Sequence, residues 1–275
     1  MATISRNTQR RRLIATFTAA LLLTGCHAFS QHDLSSFSIT LARTACEGTC
    51  PVYEVTIRGD GRVEYAGQNQ VDIPGRQKAQ VQAASLAPLL RIIDNIHFFG
   101  MRDKYFETCT DLPTAILSVH LDGKSKQVSN YYGDCEHQTS GPQVGLARFA
   151  EAIDSVAGTA RWIHCDEACI QELLRTGFDI NAQGPDGATA LLLAARKGAP
   201  GKVRRLLATG AAVDLRDAQG TTPLMEAIIR NHPDIAHELV ANGADVNAKD
   251  KKGFAVLAMT VDPGMRRLLL KAGAK

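Results

Sequence analysis

The chain has 275 residues, 45% of them hydrophobic and 21% charged, with 31 lysines and arginines against 28 aspartates and glutamates. This composition is enough for globular cores and excludes a wholly disordered chain. Charge of both signs is nearly balanced, and no basic stripe is interleaved with aromatics, which argues against nucleic acid as a partner.

The first 25 residues hold Arg6, Arg10, Arg11 and Arg12 and no acid, and residues 13–23 form an apolar run. The run is too short to span a bilayer as a helix, and its charge order is that of a secretory signal. Leu23-Thr24-Gly25-Cys26 resembles the lipobox of bacterial lipoproteins, whose cysteine is lipidated and becomes the new N-terminus. The resemblance implies a signal over 1–25, lipid attachment at Cys26 and a polar tether over 26–36. His27 stands where aspartate commonly retains lipoproteins at the inner membrane, which implies the outer membrane, with the protein facing the periplasm. A soluble periplasmic protein with an ordinary signal is the alternative. Losing the signal leaves 27 bases against 28 acids, a net charge of −1.

Residues 37–162 read as one domain. Residues 37–41 and 52–57 alternate like strands, and the second turns at Gly59-Asp60-Gly61 and returns over 63–65. Residues 84–98 carry Leu86, Leu89, Leu90 and Ile93 at helical spacing, with Pro88 in the first turn. A second hairpin spans 115–121 and 126–132, and 144–156 is a second amphipathic helix. This order predicts an α+β domain, its helices packed on one face of an antiparallel sheet. Cys46-Glu47-Gly48-Thr49-Cys50-Pro51-Val52-Tyr53 is similar to the start of an uncharacterised bacterial domain family found in exported proteins. Cys109-Thr110-Asp111, Tyr131-Tyr132-Gly133 and Trp162 fit that family further along. It has no assigned activity, so the resemblance implies a fold and no chemistry.

With Cys26 assigned to lipid, Cys46, Cys50, Cys109, Cys135, Cys165 and Cys169 remain. An even number in an exported chain suggests disulfides, and spacing alone leaves several pairings open. The local reading is Cys46–Cys50, Cys109–Cys135 and Cys165–Cys169, with Cys165 just ahead of a helix. Zinc is the competing reading, since His164 and His137 lie near cysteines. The oxidising compartment and the absence of a regular Cys/His pattern count against it.

Residues 163–275 repeat. Gly187, Gly220 and Gly253 recur every 33 residues, as do Gly177, Gly210 and Gly243. Thr222-Pro223-Leu224 has a weaker copy in Thr189-Ala190-Leu191, and Asp245-Val246-Asn247-Ala248 echoes Asp179-Ile180-Asn181-Ala182. In one unit, Gly220 suits a turn, Thr222 caps a helix carrying Leu224, Ala227 and Ile228, and Asn242-Gly243 ends a second helix. These features resemble the ankyrin repeat. The resemblance implies an all-α solenoid of two full and two partial units, the first keeping mainly its second helix. The histidine that often follows Thr-Pro-Leu is replaced by Leu192 and Met225, which costs a turn-bracing hydrogen bond.

No G-x-S-x-G, H-E-x-x-H or phosphate-binding loop is present, and Asp111, Asp134, His120 and the tyrosine pair have no spacing that fixes catalytic roles. The expectation is a protein that is not an enzyme and needs no cofactor or metal. Matching the ankyrin binding positions gives Arg196, Lys197, Gln219, Thr221, Ile229, Arg230, Lys251, Lys252 and Phe254, a basic groove around an apolar centre suited to an acidic protein partner. The preferred function is an envelope-anchored interaction module, as an inhibitor, an immunity-type protein or an assembly factor. A small-ligand receptor or uncharacterised enzyme in the first domain is the alternative, and a structural spacer is the third reading.

Overall fold

The computed structural model describes residues 32–46, 50–105, 114–131, 141–175 and 178–275. Seven strands make one sheet: β1 (Ser38–Arg43), β2 (Val52–Arg58), β3 (Arg62–Asn69), β4 (Gly75–Gln80), β5 (Lys104–Tyr105), β6 (Thr114–Leu121) and β7 (Lys124–Tyr131). Their order is β4-β3-β2-β1-β6-β7-β5. Every neighbouring pair is antiparallel except the last, where β5 runs parallel to Ser129 and Asn130 of β7. The sheet is therefore mixed, which corrects the wholly antiparallel expectation. A two-residue strand is too short to leave a periodic signal. β4 escaped the same reading because Gly75-Arg76-Gln77-Lys78-Ala79-Gln80 is a polar edge strand, the kind whose charges discourage pairing with another chain.

Ile39, Leu41, Val55, Ile57, Val63, Leu117 and Val119 alternate onto one face and are buried. They meet α1 (Ala87–Asn95), which buries Leu89, Leu90 and Ile93, and α2 (Pro142–Ala157), which buries Leu146, Phe149, Ala150 and Ile153. α2 is tied to the sheet through Asp154. Its carboxylate accepts Tyr53 Oη–H at 2.7 Å, Arg43 Nη2–H at 2.8 Å and Thr159 Oγ1–H at 2.8 Å. The other sheet face carries the short polar row Thr56, Thr40 and Ser118.

The repeats begin with the single turn α3 (Ala160–Ile163) and α4 (Glu167–Arg175), so the first unit keeps a remnant of its first helix as well as its second. Two complete pairs follow, α5 (Ala190–Lys197) with α6 (Pro200–Ala208) and α7 (Pro223–Ile229) with α8 (Pro233–Ala241). The last unit reduces its first helix to a 3-10 turn, Val256–Met259, before α9 (Pro263–Lys271). Ile170, Val203 and Ala236 hold one register and are fully buried, so second helices stack on second helices. Thr222 caps α7 by accepting Met225 N–H at 3.3 Å. The Met225 sulfur in turn accepts Thr222 N–H at 3.5 Å, and this thioether contact braces the turn where the missing histidine was expected to leave a loss.

Sheet domain and solenoid share one continuous hydrophobic core. Their junction is the β3–β4 loop. Asp72 N–H donates to Ile163 O at 3.1 Å and Ile73 N–H to Trp162 O at 2.9 Å, satisfying carbonyls at the end of the one-turn α3. Trp162 is buried between the Tyr65 ring, 4.6 Å away and stacked, and the Arg161 guanidinium at 4.5 Å. Gly75 has φ 75°, and a Cβ there would sit 2.5 Å from Gln183 O, so only glycine allows the loop to lie against the first repeat turn. The loop thus lies against both the first unit, at α3, and the second, at Gln183, Lys197 and Lys202.

Candidate partner-binding groove

Aspartates shape the turn tips that line the groove. Asp217 Oδ1 accepts the N–H groups of Gln219 and Thr221 at 2.9 and 2.8 Å. Asp250 Oδ1 does the same for Lys252 and Phe254 at 2.9 and 2.8 Å. Successive tips are then stitched together, Lys251 N–H donating to Gln219 O at 2.9 Å. Gln219, Lys251, Lys252 and Phe254 stand exposed on these tips and Thr221 is half-buried.

Behind the tips lies a charge cluster. Glu226 on α7 is buried, its side chain 10% exposed. One oxygen meets Arg196 at 3.0 Å and the other lies 3.6 Å from Arg230. Arg196 also lies 3.5 Å from Asp217. Ile229 sits beside Arg230 with 53% of its surface exposed, and Phe254 has 57%. The groove is less basic than the pattern of lysines and arginines implied. Arg196 and Arg230 are matched to Glu226, and Lys197 is turned to Asp72, 2.8 Å away in the first domain. Lys251 and Lys252 have no anionic partner among the described residues. What remains are two exposed apolar side chains, Ile229 and Phe254, in the same two units as Lys251, Lys252 and the two guanidinium groups that face Glu226.

Glu226 was not visible as a site residue, because the corresponding position one unit earlier is Leu193 and reads as core. The usable signal was its spacing, four residues before Arg230 and thirty after Arg196.

Asp72 is the second electrostatic centre. Its carboxylate receives Lys197 Nζ at 2.8 Å, Lys202 Nζ at 2.7 Å and the Cys165 N–H at 2.9 Å. Burial on its own pushes this carboxyl up, but the two lysines outweigh that and hold it below the ordinary carboxylate range. Cys165 and Cys169 form a disulfide beside it, Cys165 preceding α4 as expected, and Cys46 and Cys50 form another after β1. Cys26, Cys109, Cys135, Asp111, Tyr132 and Asp134 lie outside the described residues, as does the apolar run at 13–23. Tyr131 ends β7 and His120 bonds Ser125 Oγ at 2.6 Å on the exposed face of the second hairpin. Among the described residues no three His, Cys, Asp or Glu side chains converge in a way that could hold a metal.

Comparison with known families agrees with this division. Residues 37–156 match the family described as a domain of unknown function, DUF6438. Residues 160–250 match ankyrin repeats in three copies. No curated protein matches the chain. The chain therefore joins a domain of a family without assigned function to an ankyrin-repeat solenoid, and the repeats make it a candidate protein–protein interaction module.

Proposed function

We propose that this protein is an envelope-anchored interaction module that holds an exported protein partner in its ankyrin groove, as an inhibitor, an immunity-type protector or an assembly factor. The observation that carries the reading is the exposure of Ile229 and Phe254 in the same two units as Lys251, Lys252 and the Arg196 and Arg230 guanidinium groups that face Glu226. Exposed aromatic and aliphatic anchors beside arginines are the composition of interface hot spots. The unmatched lysines favour acidic groups at the partner's rim. Binding rather than catalysis is the role that this groove supports, and the lipid on Cys26 would confine it to the membrane surface.

Two experiments test this. Metabolic labelling with a radioactive fatty acid should mark the wild-type protein and not Cys26→Ser. Affinity purification from the native envelope, read by mass spectrometry, should recover a partner that is lost from the combined variant Ile229→Ala, Arg230→Ala, Lys251→Ala and Phe254→Ala. The same partner recovered by both forms would remove the groove from the explanation.

A further inference from the structure

Residues 32–36 precede β1, and little apolar burial holds them to the sheet domain. Asp33, Ser35 and Ser36 are exposed and Leu34 is half-buried, whereas Phe37 is fully in the core. What fastens the segment is polar. His32 Nδ1 lies 2.6 Å from one oxygen of Asp122, in the turn between β6 and β7, and Nε2 lies 3.2 Å from Asp94, in the last turn of α1. The Asp33 N–H donates to the other Asp122 oxygen at 2.8 Å. Leu34 O meets the β2–β3 turn so closely that a Cβ on Gly59 would sit 1.9 Å from it.

Only the imidazolium can hold both carboxylates at once. It carries two N–H donors, whereas the neutral ring carries one and presents a lone pair at its other nitrogen. With the ring neutral, either Asp94 or Asp122 would face an acceptor. Asp33 adds a third carboxylate beside Asp122, and Lys124 is the other cation that acts on it. Asp94 stands at the negative end of the α1 dipole, in a last turn without a basic residue, so this helix end also draws a cation from outside. The β2–β3 turn brings Arg58, Asp60 and Arg62, which are matched locally: Arg62 to Asp60 at 2.6 Å and Arg58 to Glu64 at 3.3 Å.

We infer that residues 32–36 are a strap operated by pH: the His32 imidazolium fastens them to α1 and the β6–β7 turn, and the neutral ring lets them go, with Phe37 as the fixed end. The surroundings move the ring in the sense that this needs. The bond to Asp122 first, then Asp94, raise its pKa above 6.5 against the effect of burial. The strap is closed below pH 6.5 and opens as pH rises through the folded value. The consequence rests on the proposed lipid attachment at Cys26: release adds residues 32–36 to the stretch between anchor and sheet. At about 3.4 Å per extended residue, these five give the groove roughly 17 Å of additional reach from the membrane.

Hydrogen exchange of the purified full-length protein, read by mass spectrometry on peptides covering residues 32–36 and corrected for the intrinsic pH dependence of exchange, tests the strap. Exchange should rise roughly tenfold between about pH 5.5 and about pH 8.5. Asp122→Asn keeps the shape and removes the charge, so it should move the midpoint to lower pH. His32→Gln should make exchange fast and independent of pH, and a cooperative melt verifies that each variant is folded. The NMR titration of the His32 ring should give a midpoint above 6.5 that Asp122→Asn lowers. Flat exchange across this range, a midpoint indifferent to Asp122→Asn, or a ring that titrates at or below 6.5 would each overturn the inference. The gain in reach is read separately, by energy transfer from Trp162, the chain's one tryptophan, to a dansyl lipid in vesicles carrying the lipidated protein. Transfer should fall over the same pH interval in wild type and stay low throughout in His32→Gln. Constant transfer while exchange switches would overturn the gain in reach, and protein without a fatty acid on Cys26 would overturn the anchoring reading, with the strap still decided by exchange.

Discussion

Asp72 and Lys202 are 130 residues apart in the chain, and their charged groups lie 2.7 Å apart. With Lys197 at 2.8 Å on the other carboxylate oxygen, this loop aspartate holds the last residue of α5 and the first turn of α6 together. The sheet domain and the first complete repeat are therefore joined by charge as well as by shared core.

Replacing Asp72 with alanine should lower stability by about 2 kcal/mol, since it leaves two ammonium groups and the Cys165 N–H without their acceptor. Lys202→Ala should cost more than Lys197→Ala, because Lys202 is 20% exposed and Lys197 41%. The folded-state pKa of Asp72 is depressed, so its contribution is present above the ordinary carboxylate value near 3.8 and fades as pH falls through the lower folded value. Thermal melts of wild type and variant should converge in acid. A gap that stays constant down to pH 2 would remove Asp72 from the account.

His32 behaves in the opposite sense. Its ring bonds Asp122 at 2.6 Å and Asp94 at 3.2 Å, while Asp33 N–H donates to Asp122 and Lys124 lies close by. The hydrogen bond that the ring donates to the Asp122 carboxylate raises the His32 pKa, with Asp94 adding to it against the effect of burial. A raised value means that this stabilisation is complete below pH 6.5 and is lost as pH rises through the folded value. Cleavage ahead of Ser38 by a protease of broad pH range should be slow in mild acid and faster in alkali. His32→Ala should make it fast at both.

The Cys165–Cys169 bridge closes a small loop, so Cys165→Ser with Cys169→Ser should cost about 2 kcal/mol. Trp162, the chain's one tryptophan, lies at the junction three residues before Cys165, and its emission should shift on reduction. Thiol titration of unreduced protein should find these two cysteines and the Cys46–Cys50 pair unreactive; four extra titratable thiols would contradict both bridges.

Glu226→Gln should separate architecture from binding. The amide keeps the shape and weakens the hold on Arg196 and Arg230, so the expected stability loss is only about 1 kcal/mol. Affinity for a groove-bound partner should fall more, roughly tenfold, because two guanidinium groups lose their fixed directions. Equal affinity in a calorimetric titration would show that the arginines do not contact the partner.

The repeats could be read from Gly187, Gly220 and Gly253 because a strict period repeats its own evidence. Strands with buried alternation, such as β2 and β6, could be read for the same reason. The junction could not. Asp72 looks like any loop aspartate, and nothing local specifies partners 125 and 130 residues away. The repeat position of Lys197 is a binding position, and in the assembled protein its ammonium group faces Asp72 of the neighbouring domain. Glu226 was hidden by the opposite effect, a charged residue in a register where Leu193 predicts core. Periodicity specifies where a side chain sits in a unit, and charge pairing across units needs the assembled stack.

The β3–β4 loop has a further consequence for how the chain is made. Because the β3–β4 loop and Gly75 pack against the first two units, the sheet domain supplies the solenoid with part of its packing surface. Fragments beginning at residue 160 are expected to refold slowly or to aggregate, as monitored by circular dichroism, whereas those that keep residues 32–208 should reach a native melting transition. A graft of these repeats onto another domain would succeed only if that domain brought an equivalent of Asp72 and Gly75 with it.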